Sequence, residues 1–156
     1  MATPYLFSLA PNRKLTVTPH VYSAVLPMMQ ANYEQLDELG AFSVTGYGTV
    51  SRRSDDLASG FNSSTEQAFR GYLDGVGRFQ FNENWSLSGS LRLATDRTFL
   101  RRYDISNADR LRTTAALERI DQDSYFSLAG WATQTLRVGE RQGMQPVALP
   151  EMDYRR

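Results

Sequence analysis

The chain is 156 residues long, 41% hydrophobic and 22% charged, with 17 Lys and Arg against 17 Asp and Glu, so its formal net charge is zero. That excludes a polyelectrolyte and argues against a nucleic-acid partner, while the apolar fraction is that of a chain able to fold. The absence of cysteine excludes disulfides and thiolate metal sites, and because Lys14 is the only lysine, nearly all the positive charge is guanidinium, suited to carboxylates and phosphates.

Met1 opens a stretch with neither a basic nor an apolar leader segment, so no signal peptide is expected as the chain stands. Tyr5 to Ala10 is a weak strand candidate, and Pro11-Asn12 reads as a turn. From Leu15 to Val25 the side chains alternate, with Leu15, Val17, Pro19 and Val21 against Thr16, Thr18, His20 and Tyr22. A period of two is a strand. The uncharged stretch from Leu15 to Tyr33 is not a spanning helix, because Pro19, Pro27, His20 and several polar residues interrupt it. Further strands are expected at Met28 to Leu36, Ala41 to Val50, Phe69 to Phe81, Trp85 to Asp96, Leu111 to Ile120, Tyr125 to Leu136 and Ala148 to Tyr154. No helical stripe is evident.

Short polar connections at Glu38-Leu39-Gly40, Asn82-Glu83-Asn84 and Asp121-Gln122-Asp123 read as hairpin turns, whereas Ser54 to Gln67 and Arg101 to Arg110 read as long surface loops. Alternation of short and long connections, strands of 9 to 11 residues, and aromatics near strand ends (Phe69, Phe81, Trp85, Phe99, Tyr103, Tyr125) suit an outer-membrane barrel. The side opposite the apolar one carries Arg70, Asp74, Arg78, Arg92, Asp96, Arg112 and Glu118, which fits a wet lumen and equally the solvent face of a soluble sheet. Periodicity leaves both barrels open, the rival being a soluble antiparallel barrel or sandwich that binds a small apolar ligand.

Little points to catalysis. His20 is the only histidine, no G-x-S-x-G elbow is present, and the carboxylates Glu34, Asp37 and Glu38, or Asp55 and Asp56, fall at strand ends or in a loop. The expectation is therefore a chain that is not an enzyme and has no cofactor or metal. Gly71, Gly75 and Gly77 lie on one side of a strand and do not open a helix, so they serve curvature or close packing rather than phosphate binding. Asn62-Ser63-Ser64 fits a glycosylation pattern that chance explains. Pro4 and Pro19 fall with the first two strand candidates, where each removes a ladder donor. A weakly zipped edge follows, whether for function or as protection against aggregation.

Pro4-Tyr5, Leu9-Ala10-Pro11-Asn12 and Leu15-Thr16-Val17-Thr18-Pro19-His20, in that order and spacing, resemble the opening barrel segment of the lipopolysaccharide-assembly outer-membrane family LptD, also called organic solvent tolerance protein. Thr95-Asp96-Arg97-Thr98-Phe99-Leu100-Arg101-Arg102-Tyr103-Asp104 is similar to the family's aspartate- and aromatic-rich loop, and the likeness runs along essentially the whole chain. The resemblance implies a transmembrane β-barrel in the bacterial outer membrane that takes lipopolysaccharide from a periplasmic bridge and releases it to the outer leaflet through a lateral opening. It also implies a plug lipoprotein (LptE) inside the barrel and contact with outer-membrane lipid. By the same carry-over Pro4 and Pro19, with Pro11 between them, belong to the lateral gate, and in such a barrel the alternation expects Arg70, Asp74, Arg78, Arg92 and Asp96 to face the lumen. The family's periplasmic jelly-roll domain, through which the bridge proteins attach, and the rest of its barrel are not in this sequence. Residues 1–156 therefore read as the N-terminal part of a barrel domain.

Three structural expectations are sharp. The fold is all-β, an antiparallel meander of about eight strands that stays an open curved sheet, because strands cut from a large barrel carry the wrong curvature to close. Keeping the apolar sides together forbids a two-residue turn at Glu83-Asn84, whereas a three-residue loop Asn82-Glu83-Asn84 satisfies the rule, pairing Phe81 with Trp85, Phe79 with Leu87, Gly77 with Gly89, Gly75 with Leu91 and Leu73 with Leu93 and ending in a left-handed Asn84. On the other side Arg78 then faces Ser88, Asp74 faces Arg92 and Arg70 faces Asp96, the last two as partly solvated ion pairs.

Overall fold

The computed structural model describes residues 2–23, 26–52, 67–137 and 148–156. Within them lie β1 (Tyr5–Ala10), β2 (Arg13–His20), β3 (Met28–Asp37), β4 (Gly40–Arg52), β5 (Gln67–Gln80), β6 (Trp85–Ala94), α1 (Phe99–Arg102), β7 (Arg110–Ile120), β8 (Tyr125–Thr135) and β9 (Ala148–Arg155). The nine strands form one antiparallel sheet in sequence order, from β1 to β9. The sheet does not close: among the described residues β1 pairs only with β2 and β9 only with β8. The stretch from Leu15 to Tyr33 is accordingly two strands and their connection. No helix among the described residues is long and apolar enough to cross a membrane, which leaves strands as a means of crossing untouched.

Turn chemistry sets the register. Ala10 pairs with Arg13 across the two-residue turn Pro11-Asn12, whose Asn12 Nδ2 donates to Asp37 Oδ1 at 2.7 Å. Asp37 pairs with Gly40 across Glu38-Leu39, so Gly40 is the first residue of β4 and not part of the turn. Gly40 has φ +156°, and a Cβ there would lie 2.1 Å from the Arg78 carbonyl oxygen, so only glycine fits. Between β5 and β6 the loop has the expected three residues, with the Phe81 N–H donating to the Trp85 carbonyl at 3.0 Å. Its conformation differs from expectation, since Asp104 is the only non-glycine residue with positive φ among those described. In place of a left-handed Asn84, Asn82 Oδ1 accepts from the backbone N–H of Asn84 at 3.0 Å and of Trp85 at 2.8 Å, a side-chain turn that aspartate and asparagine favour.

Short connections (11–12, 38–39, 81–84, 121–124) thus lie at one rim of the sheet, and the C-terminal ends of β2, β4, β6 and β8 at the other. β2 ends at His20, short of Val25; Ala24 and Val25 lie outside the described residues, as do Asp55, Asp56 and the Asn62-Ser63-Ser64 motif.

The register sorts side chains onto two faces. One carries Leu15, Val17, Tyr33, Phe42, Val44, Phe69, Leu73, Phe79, Leu87, Leu91, Leu93, Leu117 and Leu128. Many of its large side chains are open, Phe69 at 68% and Leu93 at 48% among them. A row of rings crosses this face near the short-turn rim: Tyr33 to Phe42 at 5.8 Å, Phe42 to Phe79 at 6.3 Å, and Trp85 to Phe126 at 6.2 Å. The opposite face is polar and tied across strands, His20 to Gln30 at 2.8 Å, Asn32 Nδ2 to Thr45 Oγ1 at 2.8 Å and Ser90 to Thr114 at 2.9 Å. Tyr125, expected with the aromatic rim, stands on this polar side and donates to Glu118 Oε1 at 3.3 Å.

Candidate functional site

The β5–β6 hairpin positions the charges. Phe79 faces Leu87, Gly77 faces Gly89, Gly75 faces Leu91 and Leu73 faces Leu93, which puts Asp74 opposite Arg92 and Arg78 opposite Ser88 on the polar side. Arg92 Nε lies 3.5 Å from Asp74 Oδ1, with both side chains partly open to solvent. A bridge of that kind contributes about 0.2 to 1 kcal/mol. Tyr72 donates to the same carboxylate at 3.1 Å. Arg78 is exposed.

Arg70 and Asp96 meet as the register requires, but in a different environment from the one expected. Arg70 Nε reaches Asp96 Oδ2 at 2.5 Å and Nη2 reaches Oδ1 at 2.6 Å, a two-pronged pair whose side chains are each only 2% exposed. What buries it is the connection between β6 and β7. The sequence reads Arg101 to Arg110 as a surface loop, but α1 runs into that stretch from Phe99 and Tyr103 within it is buried, while Phe99 and Leu100 just ahead of it are completely buried. Phe99 and Tyr103 are therefore core residues, and the expectation that they line an aromatic rim is wrong. With Met28, Tyr72, Ala94, Leu111 and Leu136 they form the hydrophobic core of the described residues.

A four-residue helix has almost no stability of its own; its ends hold it. Asp96 Oδ1 accepts from the N–H of Thr98 at 2.9 Å and of Phe99 at 2.8 Å, satisfying donors that a first helical turn leaves orphaned. At the other end Asp104 adopts φ +53°, the Ile105 N–H bonds the Leu100 carbonyl at 2.9 Å and the Asp104 N–H bonds that of Arg101 at 3.3 Å. This is the Schellman arrangement with aspartate in the left-handed position. Below it Tyr103 packs against Phe99 (5.0 Å) and Tyr22 (5.5 Å), its hydroxyl 3.5 Å from Thr49 Oγ1 in β4. Burial foremost, and then Tyr103 and Asp104, push the Tyr22 phenol up from its usual pKa.

Asp96 is thus the hinge pin of the β6–β7 connection, the strap formed by 95–109, bonding sheet and helix at once. Burial would raise its carboxyl pKa, but the hydrogen bond and charge of Arg70, with the Thr98 amide and hydroxyl, outweigh that and hold it below the ordinary carboxylate value. Residue type and register disclosed the pair itself; the strap that buries it carried no periodic signal.

The proline edge is arranged less simply than expected. Pro19 lies inside β2 opposite Met29, Pro11 begins the β1–β2 turn, and Pro4 stands one residue ahead of β1 and not within it. The β1–β2 ladder slips between Ser8 and Ala10, a bulge that weakens zipping at this edge independently of proline.

An unclosed antiparallel sheet with one continuous greasy face, a hydrogen-bonded polar face and short turns segregated to one rim is a wall segment of an outer-membrane type β-barrel. The soluble alternative needs its apolar residues turned onto a core, and here large side chains of the apolar face stay open, Phe69, Leu91 and Leu93 among them. The chain belongs to the LptD family, described as LPS transport system D, which matches residues 68–156, more than half of it. That match covers β5 to β9 and the strap; the proline motifs of β1 and β2 lie outside it. LptD is an outer-membrane family of lipopolysaccharide transport and assembly. Comparison with curated proteins gave no match.

Proposed function

We propose that this sheet forms part of the wall of a lipopolysaccharide translocon in the bacterial outer membrane, as the N-terminal portion of a barrel domain that further strands complete. The apolar face meets bilayer lipid and outer-membrane lipopolysaccharide, and the polar face with Asp74, Arg78 and Arg92 lines the lumen. The short-turn rim faces the periplasm, where turns of outer-membrane barrels are short, and the strap formed by 95–109 lies at the cell exterior. Lipid arrives from periplasmic bridge proteins through a jelly-roll domain, and a plug lipoprotein (LptE) occupies the lumen. The edge formed by Pro4, Pro11 and Pro19 is one side of the lateral gate, where fewer ladder donors lower the cost of parting the strands.

The observation that carries this reading is the division of faces: large apolar side chains stand open on one side, while the polar side holds the Asp74–Arg92 and Arg70–Asp96 pairs and the cross-strand hydrogen bonds. It is tested by placing a photoreactive amino acid at Ser88 and, separately, at Leu87 in the full-length protein in cells. Ser88 is expected to crosslink lipopolysaccharide in transit and Leu87 phospholipid. Equal labelling of lipopolysaccharide from both positions, or none from Ser88, overturns the assignment of the polar face as the path.

A further inference from the structure

The wall is not laddered over its full height. β6 runs to Ala94 and β7 begins at Arg110, yet the ladder between them reaches only from Trp85–Arg119 to Ser90–Thr114. Their other neighbours continue: β5 stays paired with β6 as far as Tyr72–Ala94, and β7 with β8 as far as Arg110–Thr135. Beyond Ser90, toward the rim opposite the short turns, the sheet is therefore two sheets side by side, β1 to β6 and β7 to β9, with no ladder pair between them among the described residues.

Side chains stand where that ladder would be. Thr113 Oγ1 accepts from the Arg92 N–H at 3.2 Å and donates to the Arg92 carbonyl at 3.4 Å. Gln134 does the same for Ala94, its Oε1 accepting from the N–H at 3.0 Å and its Nε2 donating to the carbonyl at 2.7 Å. A carboxamide offers the donor and the acceptor of a peptide group, so Gln134 imitates a strand partner. It belongs to β8 and lies opposite Leu111, so it reaches past β7 to bond β6. Thr113 and Gln134 share the register of Leu117 and Leu128 on the apolar face, where a polar group left unbonded in lipid is costly.

The strap spans the top of this split. It is pinned to β5 by the Arg70–Asp96 pair, and to the end of β8 by the Leu136 N–H donating to the Asp109 carbonyl at 2.8 Å and Arg97 Nη1 donating to the Arg137 carbonyl at 3.0 Å. Leu111 and Leu136 from one side of the split share a buried cluster with Tyr72 and Ala94 from the other and with Phe99 and Leu100 of α1. The strap and its core thus join two sheets that the ladder does not. A side-chain bond is released by a rotamer change that leaves both strands in place, whereas a ladder pair parts only when the backbones move.

We propose that the β6–β7 seam beyond Ser90 is a parting line of the wall, closed by Thr113 and Gln134 and latched by the strap, so that undocking of the strap lets the ends of β6 and β7 separate. The wall thereby has a second place to open, five strand spacings or about 24 Å from the β1 edge. This property does not depend on what passes along the polar face.

The test uses the full-length protein in detergent, spin-labelled in one sample at Leu93→Cys and Ala132→Cys, which are exposed on either side of the split, and in another at Leu87→Cys and Leu128→Cys, which flank the laddered part. Each pair is expected to give one narrow distance distribution in the parent. Arg70→Leu adds a population longer by about 5 Å, one strand spacing, between residues 93 and 132, and leaves the distance between residues 87 and 128 unchanged. Thr113→Val combined with Gln134→Leu, which keeps the Arg70–Asp96 pin, adds the same population and speeds exchange of the Arg92 and Ala94 amides about fivefold, one lost hydrogen bond each. An unaltered distance between residues 93 and 132 in either folded variant, or equal broadening of both label pairs, overturns the proposal. So does parental exchange at Arg92 and Ala94 once both side chains are replaced. Failure of Ser88 to crosslink lipopolysaccharide overturns the transport path and leaves the parting line standing.

Discussion

Taking apart the Arg70–Asp96 pair should undock the strap, and the size of the effect should depend on which partner is removed. Breaking a buried ion pair by deleting one side costs about 3 to 5 kcal/mol, because the other charge is left buried without compensation. Arg70→Leu strands a carboxylate that still accepts from Thr98 and Phe99, so it belongs near 3 kcal/mol. Asp96→Ala strands a guanidinium and also strips those two amides of their acceptor, a capping loss of about 1 kcal/mol, so it belongs near 5 kcal/mol. The double variant Arg70→Leu, Asp96→Leu leaves no buried charge and should cost only about 1 to 2 kcal/mol, less than either single change. Arg101 and Arg102 lie in α1 and offer tryptic sites whose backbone must open before cleavage. Where opening is fast relative to cutting, the cleavage rate follows the open population, and each 1.4 kcal/mol is about tenfold. Cleavage there should therefore rise by roughly two powers of ten in Arg70→Leu and more than three in Asp96→Ala. A rate within about threefold of the parent in Arg70→Leu, or a double variant as labile as the sum of the singles, would refute the account. The pH dependence has a definite sign: because the folded carboxyl is held below its ordinary value, its contribution is complete above about pH 3.9 and is lost as pH falls through the lower folded value. Amide exchange in the strap should be indifferent to protonation of Asp96 between pH 7 and 5 and accelerate below about pH 4.

Gly40→Ala should lower the urea midpoint of the full-length protein and cost about 1 to 3 kcal/mol, since its Cβ would meet the Arg78 carbonyl; an unchanged midpoint would show that the β3–β4 turn relaxes freely. Leu91→Arg, on the apolar face, should cost about 2 to 4 kcal/mol in lipid, whereas Ser90→Arg on the polar face should be tolerated, and equal losses of heat-resistant folded protein on gels would contradict the division of faces. Pro19→Ala restores a ladder donor worth about 1 kcal/mol, so lipopolysaccharide export should slow and sensitivity to large antibiotics rise; export at the parental rate would count against a gate role for this edge.

The strands were legible because period two is a property of the backbone: a strand half in grease and half in water must alternate, and keeping both apolar sides together across a three-residue loop pairs Leu73 with Leu93 and Asp74 with Arg92. Short turns were legible for a similar local reason, although which atom closes the β5–β6 loop was not, since Asn82 Oδ1 offers an alternative to a left-handed Asn84 at similar cost. Residues 95–109 were opaque. One helical turn is too short to show a 3.6-residue period, and α1 exists through the Asp96 acceptor, the Asp104 termination and the docking of Phe99, Leu100 and Tyr103 against Tyr72 and Leu111. Whether Arg70 and Asp96 meet in water or in a dry interior is decided by what the chain folds over them, and that covering comes from residues far from Arg70 in sequence, so charge pattern and register could set the partners while only tertiary packing could set their burial.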